Sequence, residues 1–308
     1  PDVLPFIRSK AAAEKHAHTL IRAGVSREFN HTGNAYEVVP FQNANHSVRV
    51  TDNFMSAVEQ GTDWITYTVI NHLPCDVIPA KNIMNEMCVA AWICGDPGIQ
   101  YNNEIQRMHT CPNSGAINAS NPCSEYLFLD DSACNLASLN LRKFQREDGS
   151  LDIERFIRAC EISITAQEIL VGFSSYPTEA IRKNSIAYRP LGLGYANLGA
   201  FLMVAGFPYN SQKGREVAAG ITALMTGAAY RQSARLAALT APFEGFEANR
   251  AAMLQVITNH RVAIESYKAD GTLHNEILFA AARTAWADAL TLGNKHGFRN
   301  AQATVLAP

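Results

Sequence analysis

The sequence lacks the features that mark a membrane, secreted or nucleic-acid-binding protein. Its 308 residues contain no run of about eighteen apolar residues and no charged-then-apolar leader at the amino end. The net charge at pH 7 is only −2, so no basic field indicates binding to nucleic acid. With 47% hydrophobic and 18% charged residues, the composition is that of a globular protein. We therefore predict a soluble cytoplasmic protein that binds neither membrane nor nucleic acid.

Paired cysteines are also missing. The seven cysteines are an odd number, and none of them forms a Cys-x-x-Cys pair. A disulfide framework is not expected in a chain of this length and apolar content. His109 lies two residues before Cys111, but two ligands do not make a zinc site. We predict no metal site and mostly buried, reduced thiols.

Hydrophobic periodicity predicts a chain of alternating helices and strands. Helices are expected at about residues 5–23, 52–59, 80–94, 151–173, 194–206, 211–238 and 276–295. Strands are expected within residues 36–50, 64–70, 133–141 and 302–306. Because neither an internal repeat nor a low-complexity linker divides the chain, a single α/β domain over residues 1–308 is predicted. The chain begins with Pro1 rather than Met and stops directly after a strand-like run, so we expect this domain to be truncated at both ends.

The motif Asn-Pro-Cys-Ser-Glu at residues 121–125 combines an amide, a thiol and a carboxylate. In an extended segment, alternate side chains share one face, and Pro122 favours an extended conformation for the residue before it. Asn121, Cys123 and Glu125 would then face one cavity. There the thiol supplies a nucleophile or a radical, the carboxylate accepts a proton, and the amide orients a hydroxyl or carbonyl group. The alternative is an Asx-Pro turn with a buried cysteine.

A second cysteine, Cys134, follows Cys123 by eleven residues, within the strand predicted at 133–141. A redox-active thiol at this position could face the same cavity as Cys123. The alternative is an ordinary small core residue between Ala133 and Leu136.

Three ordered segments form a specific set: Cys-Pro-Asn-Ser-Gly at 111–115, Ser-Asn-Pro-Cys-Ser-Glu-Tyr at 120–126 and Ala-Cys-Asn-Leu-Ala-Ser-Leu-Asn-Leu at 133–141. Together they resemble the large catalytic subunit of ribonucleotide reductase. Further similarity lies at 42–52, 92–100 and 189–194. The short spacing between Cys123 and Cys134 resembles the adenosylcobalamin-dependent, class II form, because class I enzymes tend to carry a longer insertion there. The class I, metal-radical form is the alternative.

The resemblance implies a place in the ten-stranded α/β barrel of this family, with the radical cysteine on a central finger loop. Cys123 would be the thiyl radical that removes the 3′-hydrogen of the ribose, and Glu125 would accept the proton of the 3′-hydroxyl. Asn121 would hold the substrate hydroxyls, and Ser120 would join these three residues in binding the substrate. Cys134 would be one half of a redox-active disulfide, whose partner on an earlier strand is not found in this sequence.

The resemblance also implies the ligands and partners. The substrate would be a ribonucleoside diphosphate or triphosphate, the product a DNA precursor, and the cofactor adenosylcobalamin. Nucleotide effectors and a thioredoxin-like reductant would act on the full-length protein. The full-length protein could also form a homodimer. The phosphate-binding loop would follow Pro308 and is absent here, so we do not expect the isolated chain to turn over.

Two other classes of function stay open at this point. A cysteine hydrolase or transferase would pair Cys123 with a histidine base, although no histidine lies in the loop. A non-catalytic nucleotide-binding scaffold is the other. Gly192 and Gly194 do not complete a dinucleotide-binding motif, because the next glycine is Gly199, and we interpret them as the entry to a helix.

Overall fold

The computed structural model describes residues 2–268 and 273–306, which fall into two compact units. The first unit comprises Pro1–Arg107 and Ser120–Ser124, and the second unit comprises Met108–Ala119 and Glu125–Pro308. A single catalytic domain over residues 1–308 stays a prediction. Within the described residues, no helix has both the length and the apolar character that crossing a membrane requires.

The first unit mixes helices with short strands. In chain order its elements are α1 (Val3–Arg22), β1 (Ser47–Val50), α2 (Asp52–Gln60), β2 (Asp63–Tyr67), β3 (Pro74–Pro79), α3 (Ala80–Cys94), β4 (Gly98–Tyr101) and α4 (Asn102–Arg107). β1 and β4 pair in parallel, whereas β2 and β3 form an antiparallel hairpin. A parallel pair requires a long crossover, and the segment from α2 to α3 provides it.

Local sequence signals explain where the helices of the first unit begin and end. Thr51 caps α2, because its side-chain oxygen accepts a hydrogen bond from the amide of Phe54 at 3.3 Å. Gly61 and Gly95 follow α2 and α3 in the left-handed conformation that glycine adopts without steric cost. The apolar faces of α1, α2 and α3 meet β1 in a core formed by Ile7, Val50, Phe54, Ala57, Ala80, Ile83, Met87 and Ala90.

The second unit is mainly helical around a parallel strand pair. Its elements are β5 (Asn135–Asn140), a 3₁₀ turn (Leu141–Phe144), α5 (Ile153–Phe173), α6 (Glu179–Tyr188), β6 (Leu191–Ala196), α7 (Leu198–Val204), α8 (Gln212–Leu239), α9 (Phe246–Ser266) and α10 (Leu273–His296). β5 and β6 pair in parallel over their full lengths, and Thr304 forms a parallel bridge to Leu193 on the other side of β6. α5 and α6 form the crossover between the two strands, which is a strand–helix–strand arrangement.

Six of the seven predicted helices are confirmed, as α1, α2, α3, α5, α8 and α10, with ends shifted by a few residues. The helix predicted at 194–206 is wrong in its first part, because β6 continues to Ala196 and α7 begins at Leu198. The interpretation of Gly192 and Gly194 as a helix entry is therefore wrong as well. Both glycines lie in a strand, where a β-carbon would meet the Leu136 side chain at Gly192 and the Val305 carbonyl at Gly194.

The strand predictions are confirmed in part. Within 36–50 only β1 is a strand, because residues 40–43 form turns. The strand predicted at 64–70 ends at Tyr67, and the hairpin partner β3 was not predicted. The strand predicted at 133–141 is confirmed as β5, which alternates between half-buried and exposed residues, with Leu136 61% exposed. α4, α6, α9 and β4 were also missed.

The strands of the described residues form three two-stranded sheets and no closed sheet. The fold is therefore α/β, as predicted. A ten-stranded barrel stays a prediction at this stage.

Candidate active site

Cys123 lies in a turn of the first unit rather than in an extended segment. The amide of Ser124 donates to the carbonyl of Asn121 at 3.1 Å, and Ser124 has a φ of 67°. A left-handed residue breaks the two-residue alternation of an extended chain, so the predicted extended conformation of this segment is wrong, whereas a site shared by Asn121, Cys123 and Glu125 stays a prediction. The turn matches the alternative interpretation, but Cys123 is exposed rather than buried.

Side chains of β1 and β4 hold this turn. Gln100 of β4 is buried, and its Nε2 donates to Ser120 Oγ and Ser124 Oγ at 2.8 Å each. Its Oε1 accepts from Arg49 of β1, at 3.1 Å from Nε and 2.9 Å from Nη2. The Ser120 hydroxyl in turn donates to the carbonyl of Asn121 at 2.8 Å. Two of the predicted site residues, Ser120 and Asn121, therefore belong to one hydrogen-bond network.

The thiol of Cys123 has an amide beside it. Asn45 Nδ2 lies 3.9 Å from Cys123 Sγ, within the range of a weak hydrogen bond to sulfur. Ser47 Oγ lies 3.3 Å from Ser124 Oγ, so β1 also contacts the turn directly. Sequence reasoning did not assign Asn45, Ser47 or Gln100 to the site, although the resembling segments at 42–52 and 92–100 contain them.

Glu125 and Cys134 interact in the second unit. Cys134 is half-buried, and burial, followed by the negative charge of Glu125, raises the pKa of its thiol to about 11. Glu125 Oε2 is buried and has no hydrogen-bond partner among the described residues. At neutral pH the pair therefore offers a protonated thiol and a carboxyl oxygen that is available to accept a hydrogen bond.

Hydrogen bonds among its own side chains and backbone stabilise the loop between Glu125 and Cys134. Tyr126 Oη lies 2.9 Å from Ser132 Oγ, which donates to the carbonyl of Leu129 at 2.5 Å. Burial raises the pKa of the Tyr126 phenol above its usual range, so this side chain stays protonated. Its role here is to close the loop that connects Glu125 with Cys134.

His109 makes two backbone contacts. Its Nδ1 accepts from the amide of Cys111 at 3.3 Å, and its Nε2 lies 2.9 Å from the carbonyl of Gly115. This pattern fits a neutral ring with its hydrogen on Nε2, and burial lowers the pKa of the imidazole accordingly. Within the described part of the chain, no group of three or more His, Cys, Asp or Glu residues could hold a metal ion.

Comparison with known proteins identifies the family. A family model described as "Ribonucleotide reductase, barrel domain" matches residues 1–308. The chain therefore belongs to the ribonucleotide reductase barrel-domain family, and the resemblance inferred from the sequence is confirmed.

Particular relatives carry a more specific name. The chain is 54% identical over its whole length to the vitamin B12-dependent ribonucleotide reductase of Rhodopirellula baltica, of which it covers 29%. It is 46% identical over its whole length to the enzyme of that name from Streptomyces clavuligerus, of which it covers 32%. Over 67% of the chain it is 31% identical to the vitamin B12-dependent ribonucleoside-diphosphate reductase of Mycobacterium tuberculosis, of which it covers 30%. The chain thus spans about a third of the length of these relatives.

Proposed function

We propose that the protein containing this chain reduces ribonucleotides to 2′-deoxyribonucleotides and so supplies DNA precursors in the cytoplasm. This is the activity in the names of its relatives. One structural observation carries the proposal for this chain. Glu125 Oε2 is buried and has no hydrogen-bond partner among the described residues. The charge of the same side chain contributes to the raised pKa of the Cys134 thiol. Ribonucleotide reduction needs both groups, one as a base and one as a reductant.

Cys123 is the residue proposed to start the reaction. As a thiyl radical it removes the 3′-hydrogen of the ribose, so that a C–H bond breaks and an S–H bond forms. Glu125 accepts the proton of the 3′-hydroxyl, which assists loss of the 2′-hydroxyl as water. Asn121 and Ser120 hold the sugar hydroxyls. The exposed position of Cys123 on its turn supports this role, because a bound molecule can reach the thiol.

Cys134 is the proposed reductant. With a second thiol, which we do not assign to a residue of this chain, it supplies two hydrogens and is oxidised to a disulfide. The 2′-carbon becomes a CH₂ group, and Cys123 returns a hydrogen to the 3′-carbon, so the radical is regenerated on its sulfur. The raised pKa of Cys134, about 11, supports this role because the thiol carries its hydrogen at neutral pH. A thioredoxin-like protein would reduce the disulfide again.

The wider assembly is proposed from the family. The chain would form part of one ten-stranded α/β barrel domain, with Cys123 on the finger loop, and a match to the barrel-domain family supports this. The name of the Mycobacterium tuberculosis relative favours a diphosphate over a triphosphate substrate. Nucleotide effectors and a homodimer complete the proposal for the full-length protein.

Adenosylcobalamin is the proposed cofactor, because the relatives are named vitamin B12-dependent. When bound, it supplies the radical by breaking its cobalt–carbon bond. The corrin ring of cobalamin already ligates the cobalt, so a cluster of protein ligands is not expected to mark its binding site. We therefore assign no cofactor contact to this chain.

The test is replacement of the reacting thiol in the full-length protein. Cys123→Ser is expected to abolish deoxynucleotide formation, whereas Cys75→Ser, at another exposed cysteine, is expected to leave it unchanged. Substantial turnover by Cys123→Ser would overturn the proposal. Deoxynucleotide formation without adenosylcobalamin would instead favour the class I alternative.

A further inference from the structure

The side-chain amide of Gln100 has a defined orientation. Its Oε1 accepts two hydrogen bonds from the guanidinium of Arg49. Arginine can only donate, so the oxygen of the amide must face Arg49 and the NH₂ group must face away from it. Gln100 is 8% exposed, which leaves little room for alternative partners in water. Arg49 thereby directs two N–H donors of Gln100 towards the Cys123 turn.

These two donors form hydrogen bonds to the turn on both sides of Cys123. One donates to Ser120 Oγ and the other to Ser124 Oγ, at 2.8 Å each. An amide NH₂ has two hydrogens, so this arrangement uses its full capacity. The residues that Gln100 holds lie before and directly after Cys123 in the chain.

The turn needs such support, because Ser124 has a φ of 67°. A residue with a β-carbon is uncommon in this left-handed region, and it stays there only where surrounding contacts hold it. The carbonyl of Asn121 accepts both the amide of Ser124, at 3.1 Å, and the hydroxyl of Ser120, at 2.8 Å. A directed series of donors therefore runs from Arg49 through Gln100 and Ser120 to the carbonyl that closes the turn.

From this network we infer that Gln100, oriented by Arg49, is a positioning residue for the Cys123 thiol. Gln100 holds the serines of the turn and is not itself a catalytic residue. The inference rests on the proposed function, in which Cys123 is the reacting group. It goes beyond that function in naming the residues that fix where the thiol points.

The main test is Gln100→Leu in the full-length protein, which removes the amide at similar size. Because a small misplacement of a reacting group lowers the rate strongly, we expect kcat for ribonucleotide reduction to fall about tenfold or more, with KM changed by less than about threefold. Hydrogen exchange of the peptide over 120–125 should become several-fold faster, since the Ser124 amide loses its fixed acceptor. Gln60→Leu is the matched control, because Gln60 is exposed and contacts Ser56.

Variants of Arg49 test the orientation of the amide. Arg49→Met leaves Gln100 in place but frees its amide to rotate, so kcat and hydrogen exchange should change as in Gln100→Leu. Arg49→Lys keeps one donor nitrogen in place of two and should restore part of kcat. A purely structural role would not produce this order of kcat values at constant KM.

The outcomes distinguish a failure of the inference on Gln100 from a failure of the proposed function. With an active parent protein, unchanged kcat and unchanged exchange in Gln100→Leu overturn the inference and leave the proposed function intact. A full-length parent that forms no deoxynucleotide overturns the function, and the exchange measurement still decides whether Gln100 holds the turn. Should Gln100→Leu fail to fold, Arg49→Met decides, and normal exchange over 120–125 in that variant overturns the inference.

Discussion

Arg189 and Glu168 form a buried ion pair in the second unit, with Arg189 Nε 2.5 Å from Glu168 Oε1. The same oxygen accepts from Arg299 Nε at 2.7 Å, and Asn300 Nδ2 donates to Oε2 at 2.6 Å. The carboxylate of Glu168 in α5 therefore binds Arg189, which directly follows α6. It also binds residues 299–300, which lead to the bridge between Thr304 and β6. Removing the carboxylate leaves the buried Arg189 and the half-buried Arg299 without their negative charge, which is the costly way to lose a buried ion pair.

We predict that Glu168→Ala destabilises the chain by about 3–5 kcal/mol. Two guanidinium groups would lose the charge that they share, and Asn300 would lose an acceptor. The free energy of unfolding, measured by urea denaturation with circular dichroism, tests this prediction.

The matched control is Glu179→Ala on α6. Glu179 pairs with Arg182 at 3.0 Å, but both side chains are exposed to solvent. Its loss should cost less than about 1 kcal/mol. Equal losses for the two variants would contradict the assignment of Glu168 to a buried network.

Local signals made most of the fold predictable. α2 and α3 could be placed from Thr51, Gly61 and Gly95, because caps and stops act on the nearest turn of a helix. β6 could not be placed in this way. Gly192 and Gly194 are required by segments distant in sequence, and no periodicity in their own neighbourhood reports those contacts.

Sequence reasoning named candidate residues for the site but could not predict their geometry. Cys123, Glu125 and Cys134 were assigned from the resemblance, and their roles stay predictions. The conformation of Ser124 was not predictable, because it is supported by Gln100 at a separation of 24 residues. Proline beside a cysteine permits an extended segment or a turn, and in this chain the turn is held by Gln100 of β4.

The close contact at Gly194 gives a second prediction. A β-carbon on this residue would lie 2.6 Å from the carbonyl oxygen of Val305, a backbone atom that cannot move without shifting its segment. We expect Gly194→Ala to destabilise the chain by about 1–3 kcal/mol, measured as a loss in the free energy of unfolding. The same change at Gly192 should cost less, because its nearest contact is the end of the exposed Leu136 side chain, at 2.4 Å.

Gly172 provides the control for the glycine series. It lies in α5 with no atom within 4 Å of the position that a β-carbon would take. Gly172→Ala should therefore stabilise the chain by up to about 1 kcal/mol, because alanine favours the helix. Similar losses at Gly172 and Gly194 would show that steric contact is not the cause.

The interaction of Glu125 with Cys134 gives a third prediction, on pKa. Glu125→Gln removes the negative charge that disfavours the thiolate, so the pKa of Cys134 should fall from about 11. It should stay above the ordinary value of 9.0, because burial is the larger cause and remains. The pH dependence of iodoacetamide labelling at Cys134, followed by mass spectrometry, measures the shift. Glu104→Gln, at an exposed carboxylate, should leave the midpoint in place, and an unchanged midpoint in Glu125→Gln would contradict the coupling.

A buried thiol of α5 makes the stability of the chain depend on alkaline pH. Cys160 is 0% exposed, and burial, followed by the charge of Glu161, raises the pKa of its thiol to about 12. In the unfolded chain the thiol loses its proton near the ordinary value of 9.0. Between these two pKa values the unfolded state binds fewer protons than the folded state, so the free energy of unfolding falls as pH rises, by about 1.4 kcal/mol per pH unit.

Cys160→Ala is predicted to weaken this pH dependence. The variant should be less stable than the parent at about pH 8, because a buried side chain is shortened and leaves a cavity. On going to about pH 10, however, the variant should lose less stability than the parent, by on the order of 1.4 kcal/mol, since one buried thiol no longer resists ionisation. Urea denaturation at both pH values measures the two differences. Cys75→Ala removes an exposed thiol and should follow the parent at both pH values, and a parallel fall for Cys160→Ala would contradict the role of burial.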